Sequence, residues 1–216
     1  MTATLINHEL QAAPVDATPP PMSNPLAGNP GLVGIPLTIA GAVGLGMVDI
    51  GYLSPAGGGA ALPTIMTATA IGLLITTIWA AALGQNASAS LFGVFFGFYG
   101  SYGALVLGLT HNWFGTPADQ AVKTQIVWLV CWIVTIVMLT LTTLRLPWTF
   151  TLLLGLVDVA LVVLLIATHQ GSQALTKAGG VIIFVFVALA IYLYVDAMDR
   201  ETGGKGLPLG SPLLIK

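Results

Sequence analysis

Residues 148–168, WTFTLLLGLVDVALVVLLIAT, decide the fold of this chain, because within them only Asp158 is charged. A helix rises 1.5 Å per residue, so a run of this length crosses the ~30 Å hydrocarbon core of a bilayer. A strand of a membrane barrel would alternate apolar and polar residues over about ten positions. This run is continuously apolar, and it therefore predicts a transmembrane α-helix.

Five further apolar stretches have a similar length, and proline, glycine and polar residues separate them. We place the six predicted helices at Leu32–Leu53, Leu62–Leu83, Leu91–His111, Ile126–Leu144, Trp148–Thr168 and Ala178–Met198. The predicted fold class is an all-α integral membrane protein with six transmembrane helices around a narrow central path, embedded in membrane lipid.

The composition excludes several classes of function. Hydrophobic residues make up 56% of the 216 residues and charged residues 6%, whereas a soluble domain carries roughly a quarter charged residues. No basic patch is present that could neutralise the phosphates of a nucleic acid. The sequence also lacks a phosphate-binding Gly-Lys-Ser/Thr motif, a His/Cys cluster with metal-ligand spacing and a nucleophile elbow. We therefore expect no enzyme, no cofactor, no metal and no nucleic-acid partner.

The charge distribution suggests the domain organisation and the topology. Residues 1–28 are polar and proline-rich, which predicts a disordered or extended tail; 29–200 form the six-helix domain and 201–216 a short cytoplasmic tail. Four basic residues lie on the side of the termini: Arg145, Arg200, Lys205 and Lys216. The other side carries Lys123 and Lys177. By the positive-inside rule, both termini are expected in the cytoplasm of a multi-pass plasma-membrane protein.

Glycine is abundant within the predicted helices, with 26 in the chain. The third helix has a face of small residues at three- and four-residue steps: Gly93, Gly97, Gly100, Ala104 and Gly108. Small residues let helices approach closely in lipid. Close packing matters there because lipid tails are as apolar as the side chains, so the hydrophobic effect does not bring the helices together. This face is explained by packing within a compact bundle, by assembly into a homo-oligomer, or by a narrow pore lined partly by backbone.

Acidic residues within the apolar runs are the remaining candidates for chemistry, since a carboxylate at the middle of a bilayer is costly. Asp158 is the clearest, and it shares a helix face with Thr151 and Gly155. It is either a proton site or a buried, hydrogen-bonded structural acid. Asp49 and Asp196 lie nearer to helix ends, where contact with water or headgroups is a sufficient explanation.

The start of the first helix is marked by Asn29 and Pro30. Asparagine is a good helix cap and proline is favoured in the first turn. Free N–H groups and the helix dipole favour anions at such a terminus. The alternative is an ordinary helix cap at the membrane surface.

Three motifs resemble those of a known family. NPGLVGI (29–35) resembles the signature Asn-Pro-Ala-Pro-Leu-Gly-Leu of the acetate uptake transporter family, the acetate/succinate–proton symporters of the SatP/YaaH type; Asn29, Pro30 and Gly34 match it. SYG (101–103) resembles the Ser-Tyr-Gly segment of that family, and GKGLPLG (204–210) resembles its C-terminal motif. The order of these motifs on a six-helix chain agrees across roughly residues 29–210.

The resemblance implies a hexamer in which each protomer has its own path for a small carboxylate, with protons as a further partner. It also implies a constriction formed by an aromatic residue of helix 1, a tyrosine of helix 3 and an aliphatic residue of helix 5. The corresponding residues here are Thr38, Tyr102 and Leu156, so the aromatic position of helix 1 holds a threonine.

The expected function is transport of a small monocarboxylate, such as acetate or also succinate, by a channel or a proton-coupled symporter. Two alternatives remain. One is a channel for neutral solutes such as urea, amides or ammonia. The other is a structural subunit of a membrane complex with a degenerate pore.

Overall fold

The computed structural model describes residues 26–53 and 55–214. Over these ranges the chain is all-helical, and six of its helices are long and apolar enough to cross a membrane. The six-helix fold predicted from the sequence is therefore confirmed. The predicted N-terminal tail lies outside the described residues as far as residue 25. The bounds are α1 Gly31–Asp49, α2 Gly72–Ala82, α3 Asn86–His111, α4 Ala121–Thr142, α5 Trp148–Gln170 and α6 Gln173–Glu201.

Several helices extend beyond the apolar runs from which they were predicted. The third begins at Asn86 rather than Leu91, and the sixth begins at Gln173 rather than Ala178. Polar residues continue a helix as well as apolar ones do once it leaves the hydrocarbon, so hydropathy locates the span and not the helix end. The first helix ends earlier than predicted, because the backbone reverses at Gly51, where φ is +80°.

The second span is irregular in its first half. A 3-10 segment, Pro55–Ala61, leads into a wider π-helical segment, Pro63–Ile71, which continues directly as α2. Pro63 occupies the first turn, where no N–H is needed. The π segment places Thr69 against α1, and the Thr69 hydroxyl group donates to the Leu37 carbonyl at 3.0 Å. This bond ties the irregular half of the span to the bundle.

The helices pack as a closed ring. Helix α1 packs on α6, α6 on α5 and α5 on α4, while the second span packs on both α1 and α3; α3 and α4 meet along a shorter seam. Neighbouring helices are antiparallel. We call the end of the bundle that holds Gly31 and Glu201 the terminal face, and the end that holds Asp49 and Gln173 the opposite face.

Glycines on α1 and α3 make close contacts within this one chain. A side chain at Gly34 would overlap the Phe92 ring, and a Cβ at Gly97 would lie 3.1 Å from the Trp132 ring. Part of the small-residue face of α3 is therefore used for packing inside the protomer.

The C-terminal segment that follows α6 is folded against the terminal face. The Leu207 N–H donates to Asp196 Oδ1 at 2.6 Å, and the Tyr192 hydroxyl group donates to the Pro208 carbonyl at 2.8 Å. Asp196 is only 5% exposed and also pairs with Arg200, with Nε 3.0 Å from Oδ1. Water or headgroup contact does not explain Asp196, because its carboxylate serves to anchor this segment.

Candidate substrate cavity

A cavity of about 510 Å³ lies between α1, α3, α4, α5 and α6, in the half of the bundle toward the opposite face. Its polar lining is concentrated where these helices end or begin: Asp49, Thr110, Gln125, Thr168, Ser172, Gln173 and Thr176. Deeper in the bundle the lining becomes apolar and aromatic. The cavity thus has a polar mouth and an apolar interior, which is typical of small-molecule sites.

The deep end of the cavity is closed by aromatic rings, which we call the floor: Phe95, Phe98, Tyr99 and Phe186. Phe95 occupies the centre of this group, with ring centroids 6.5 Å from Phe98, 6.3 Å from Tyr99 and 6.5 Å from Phe186. All four side chains are buried, and Phe186 is 4% exposed.

Two of the three residues predicted for the constriction line this cavity. Tyr102 lies above the floor with its ring 5.8 Å from that of Trp128, and Leu156 contributes from α5. Thr38 lies outside the lining: its hydroxyl group donates to the Gly34 carbonyl of its own helix at 2.9 Å. Tyr99 covers it, since the Tyr99 hydroxyl group donates to the Thr38 carbonyl at 3.1 Å.

The seam between α3 and α4 is held by Ser101, the residue before Tyr102. Its Oγ lies 2.9 Å from Trp128 Nε1 and 3.0 Å from Trp132 Nε1, so one hydroxyl group accepts two indole N–H bonds. The same hydroxyl donates to the Phe98 carbonyl. Ser101 therefore fixes the tryptophan wall beside Tyr102. The sequence carried a signal for this wall, because Trp128 and Trp132 are four residues apart and share a helix face.

Asp158 does not line the cavity. Its Oδ2 accepts a hydrogen bond from the Thr140 hydroxyl group of α4 at 2.7 Å. Its Oδ1 is buried and, within the described part of the chain, has no hydrogen-bond partner. Thr151, on the same face, is bonded to the Thr143 carbonyl. Asp158 thus belongs to a polar seam between α4 and α5.

Asp49, by contrast, lines the cavity at its mouth. It packs on Gly180 of α6, where an added Cβ would lie 3.0 Å from the Asp49 Cβ. Tyr102 lines the same cavity. From the sequence, the place of Asp49 near a helix end was a sufficient explanation, but in the structure this end of α1 opens into a cavity.

The Asn29 end of α1 lies on the terminal face, away from the cavity mouth. Asn29 Oδ1 accepts a hydrogen bond from the Gly31 N–H at 3.0 Å, and Pro30 follows as the residue before the helix. Gly34 lies one turn further on, against Phe92. Asn29 and Pro30 therefore mark the start of α1, and Gly34 lets α1 pack closely on α3. The N-terminus of α1 points away from the cavity.

The sequence model of the GPR1/FUN34/yaaH family matches residues 12–203. The chain belongs to this family. Its fold also matches a solved structure, titled "Structure of the bacterial acetate channel SatP", with a TM-score of 0.74 and 20% sequence identity. The match covers 85% of this chain and 99% of that one, so the likeness at this identity is one of fold. No curated protein sequence matches the chain significantly.

Membership of the GPR1/FUN34/yaaH family agrees with the resemblance inferred from the three motifs, and the chain is a multi-pass membrane protein. In this structure the tyrosine of SYG (101–103) lines the cavity, and GKGLPLG (204–210) lies in the segment folded on the terminal face. Among the described residues, no group of three His, Cys, Asp or Glu side chains is placed to hold a metal ion.

Proposed function

We propose that this protein transports a short monocarboxylate such as acetate across the plasma membrane. The observation that carries the proposal is the cavity of about 510 Å³ lined by the helices of a fold shared with a bacterial acetate channel. The apolar interior suits the methyl group of acetate. The hydroxyl and amide groups at the mouth, such as Gln125 and Thr176, suit its carboxyl end.

The floor is the barrier to this transport. A solute that enters from the opposite face passes Tyr102 and Leu156 and then meets Phe95 and Phe186. In this chain α1 contributes no aromatic ring at Thr38, and we propose that Phe186 of α6 takes the place of that ring in the constriction. The path would conduct when the floor rings move apart.

The wider proposal follows the resemblance. It includes a homo-oligomer, a hexamer, in which each protomer has its own path, both termini in the cytoplasm, and either a channel or a proton-coupled symporter that also accepts succinate. Native mass measurement in mild detergent tests the assembly, and a monomer there would contradict it.

A channel for neutral solutes such as urea or amides is the second candidate. The observation that favours it is Asp49, because a carboxylate at the cavity mouth opposes the passage of an anion.

Flux through proteoliposomes separates the two candidates. Labelled acetate, succinate, urea and ammonium are compared with and without a pH gradient, and protein-free liposomes give the background. Acetate flux above that background supports the first proposal. Urea flux without acetate flux would support the second, and flux of neither would overturn both.

A further inference from the structure

The cavity contains a carboxyl group with no cation to balance it. Among the described residues that line it, Asp49 is the acidic side chain, and no Lys, Arg or His is present. Asp49 also makes no salt bridge: within the described residues the salt bridge formed is that of Asp196 with Arg200. The remaining polar lining consists of hydroxyl and amide groups, which carry no net charge.

The elements packed around Asp49 carry other titratable groups. Toward the cavity and the opposite face they are Tyr99, Tyr102 and His111 on α3, Lys123 on α4, Asp158 and His169 on α5 and Lys177 on α6. Among these described residues, Tyr99 and Tyr102 line the cavity, and neither carries a positive charge. Lys177 is the nearest cation along α6, and its Cε lies 3.3 Å from the place of a Cβ at Gly51. It therefore lies on the rim beyond Asp49, outside the cavity lining.

An unbalanced carboxylate has a direct effect on a carboxylate substrate. Two like charges repel, and the repulsion is stronger inside a protein than in water, because the effective dielectric is lower. A carboxylate substrate avoids this repulsion only if one of the two carboxyl groups is protonated, and while Asp49 is ionised that group must be the substrate's. An uncharged solute of the same shape meets no such barrier, and it can accept or donate a hydrogen bond at Asp49.

We propose that Asp49 is the charge filter of this cavity, and that the cavity therefore takes short monocarboxylic acids in their uncharged form. This inference rests on the proposed transport of monocarboxylates and names the form in which the substrate occupies the site. It assigns the role of selecting the substrate's charge to α1 and not to α5. Asp158 shares a polar seam with Thr140 and does not line the cavity.

Acetate and acetamide provide the test, because they have nearly the same shape and differ in charge. Flux of both is measured in proteoliposomes at about pH 8, where a carboxylate in water is ionised. Asp49→Asn keeps the shape and removes the charge, so it should raise the acetate-to-acetamide flux ratio by roughly tenfold or more. Asp158→Asn is the matched control and should leave the ratio unchanged.

A ratio in Asp49→Asn within about twofold of the unchanged protein would overturn the charge filter, as would an equal rise in Asp158→Asn. Binding gives a second readout that does not require transport. Trp128 lines the cavity, so acetate binding is followed by tryptophan fluorescence, with Trp128→Phe identifying the signal. Asp49→Asn should bind acetate roughly tenfold more tightly at about pH 8 and acetamide equally well.

The two readouts distinguish the filter from the proposed function. If acetate binding tightens in Asp49→Asn while no variant transports acetate, the filter stands and the transport proposal fails. If acetate is transported and neither the flux ratio nor the binding changes, the transport proposal stands and the filter fails.

Discussion

Removal of the Phe186 ring should change which solutes pass, and the structure allows its effect on selection to be separated from its effect on stability. Phe186 is 4% exposed and belongs to the floor. Phe92 is also 4% exposed, but it packs on Gly34 and does not line the cavity. A buried Phe→Ala change costs about 3–5 kcal/mol, so Phe186→Ala and Phe92→Ala should lower the unfolding temperature to similar extents.

Their effects on selectivity should differ. Each methylene that a tight apolar site rejects is worth about 1–3 kcal/mol, or 10–200-fold. Butyrate is two methylenes longer than acetate, and the closed floor should exclude it. Without the Phe186 ring, the gap beside Phe95 should admit the longer chain, and the acetate-to-butyrate flux ratio should fall by about tenfold or more.

The assay is uptake of labelled acetate and butyrate into proteoliposomes, normalised to folded protein measured by size-exclusion chromatography. Phe186→Leu, a smaller change, provides a second variant should the alanine form fold poorly. The role of Phe186 as a gate would be refuted by an acetate-to-butyrate ratio that changes equally in Phe92→Ala and Phe186→Ala, or in neither.

Three further predictions concern the seam between α3 and α4, the C-terminal segment and the membrane topology. Ser101→Ala leaves two indole N–H groups without an acceptor. Since hydrogen bonds between membrane helices average ~0.6 and reach ~1.7 kcal/mol, the free energy of unfolding should fall by about 1–3 kcal/mol. The variant should unfold at a lower temperature with a shifted tryptophan emission, and unchanged emission would contradict the prediction. Asp196→Asn removes the charge that holds Arg200 and weakens the bond to the Leu207 N–H. Limited proteolysis should therefore cut the C-terminal segment faster than in Asp158→Asn, and equal rates would count against the anchoring role of Asp196. Reporters fused at the C-terminus and inserted in the 112–117 loop should report opposite sides of the membrane, and signals from the same side would disprove the topology.

The number and type of the spanning elements could be predicted from the sequence because the bilayer leaves few options. Within lipid every backbone N–H and C=O must be satisfied inside the element, so an apolar run such as 148–168 has to be a helix. The family could also be predicted, because NPGLVGI (29–35) and SYG (101–103) are local motifs whose order along the chain needs no knowledge of packing.

The residues that face the cavity could not be predicted in the same way. A soluble helix shows its buried side through an apolar stripe. Because α1 and α5 are apolar on all sides, their residue patterns do not indicate which side of each helix faces the cavity. Asp158 was favoured because it lies at mid-helix, and the tertiary structure turns it toward Thr140 on α4. Asp49 lies at a helix end, and it is the convergence of five helix ends around it that makes it part of a cavity. The position of an acid along the membrane normal is thus determined by sequence, whereas its access to the substrate depends on helix rotation, which only packing between helices decides.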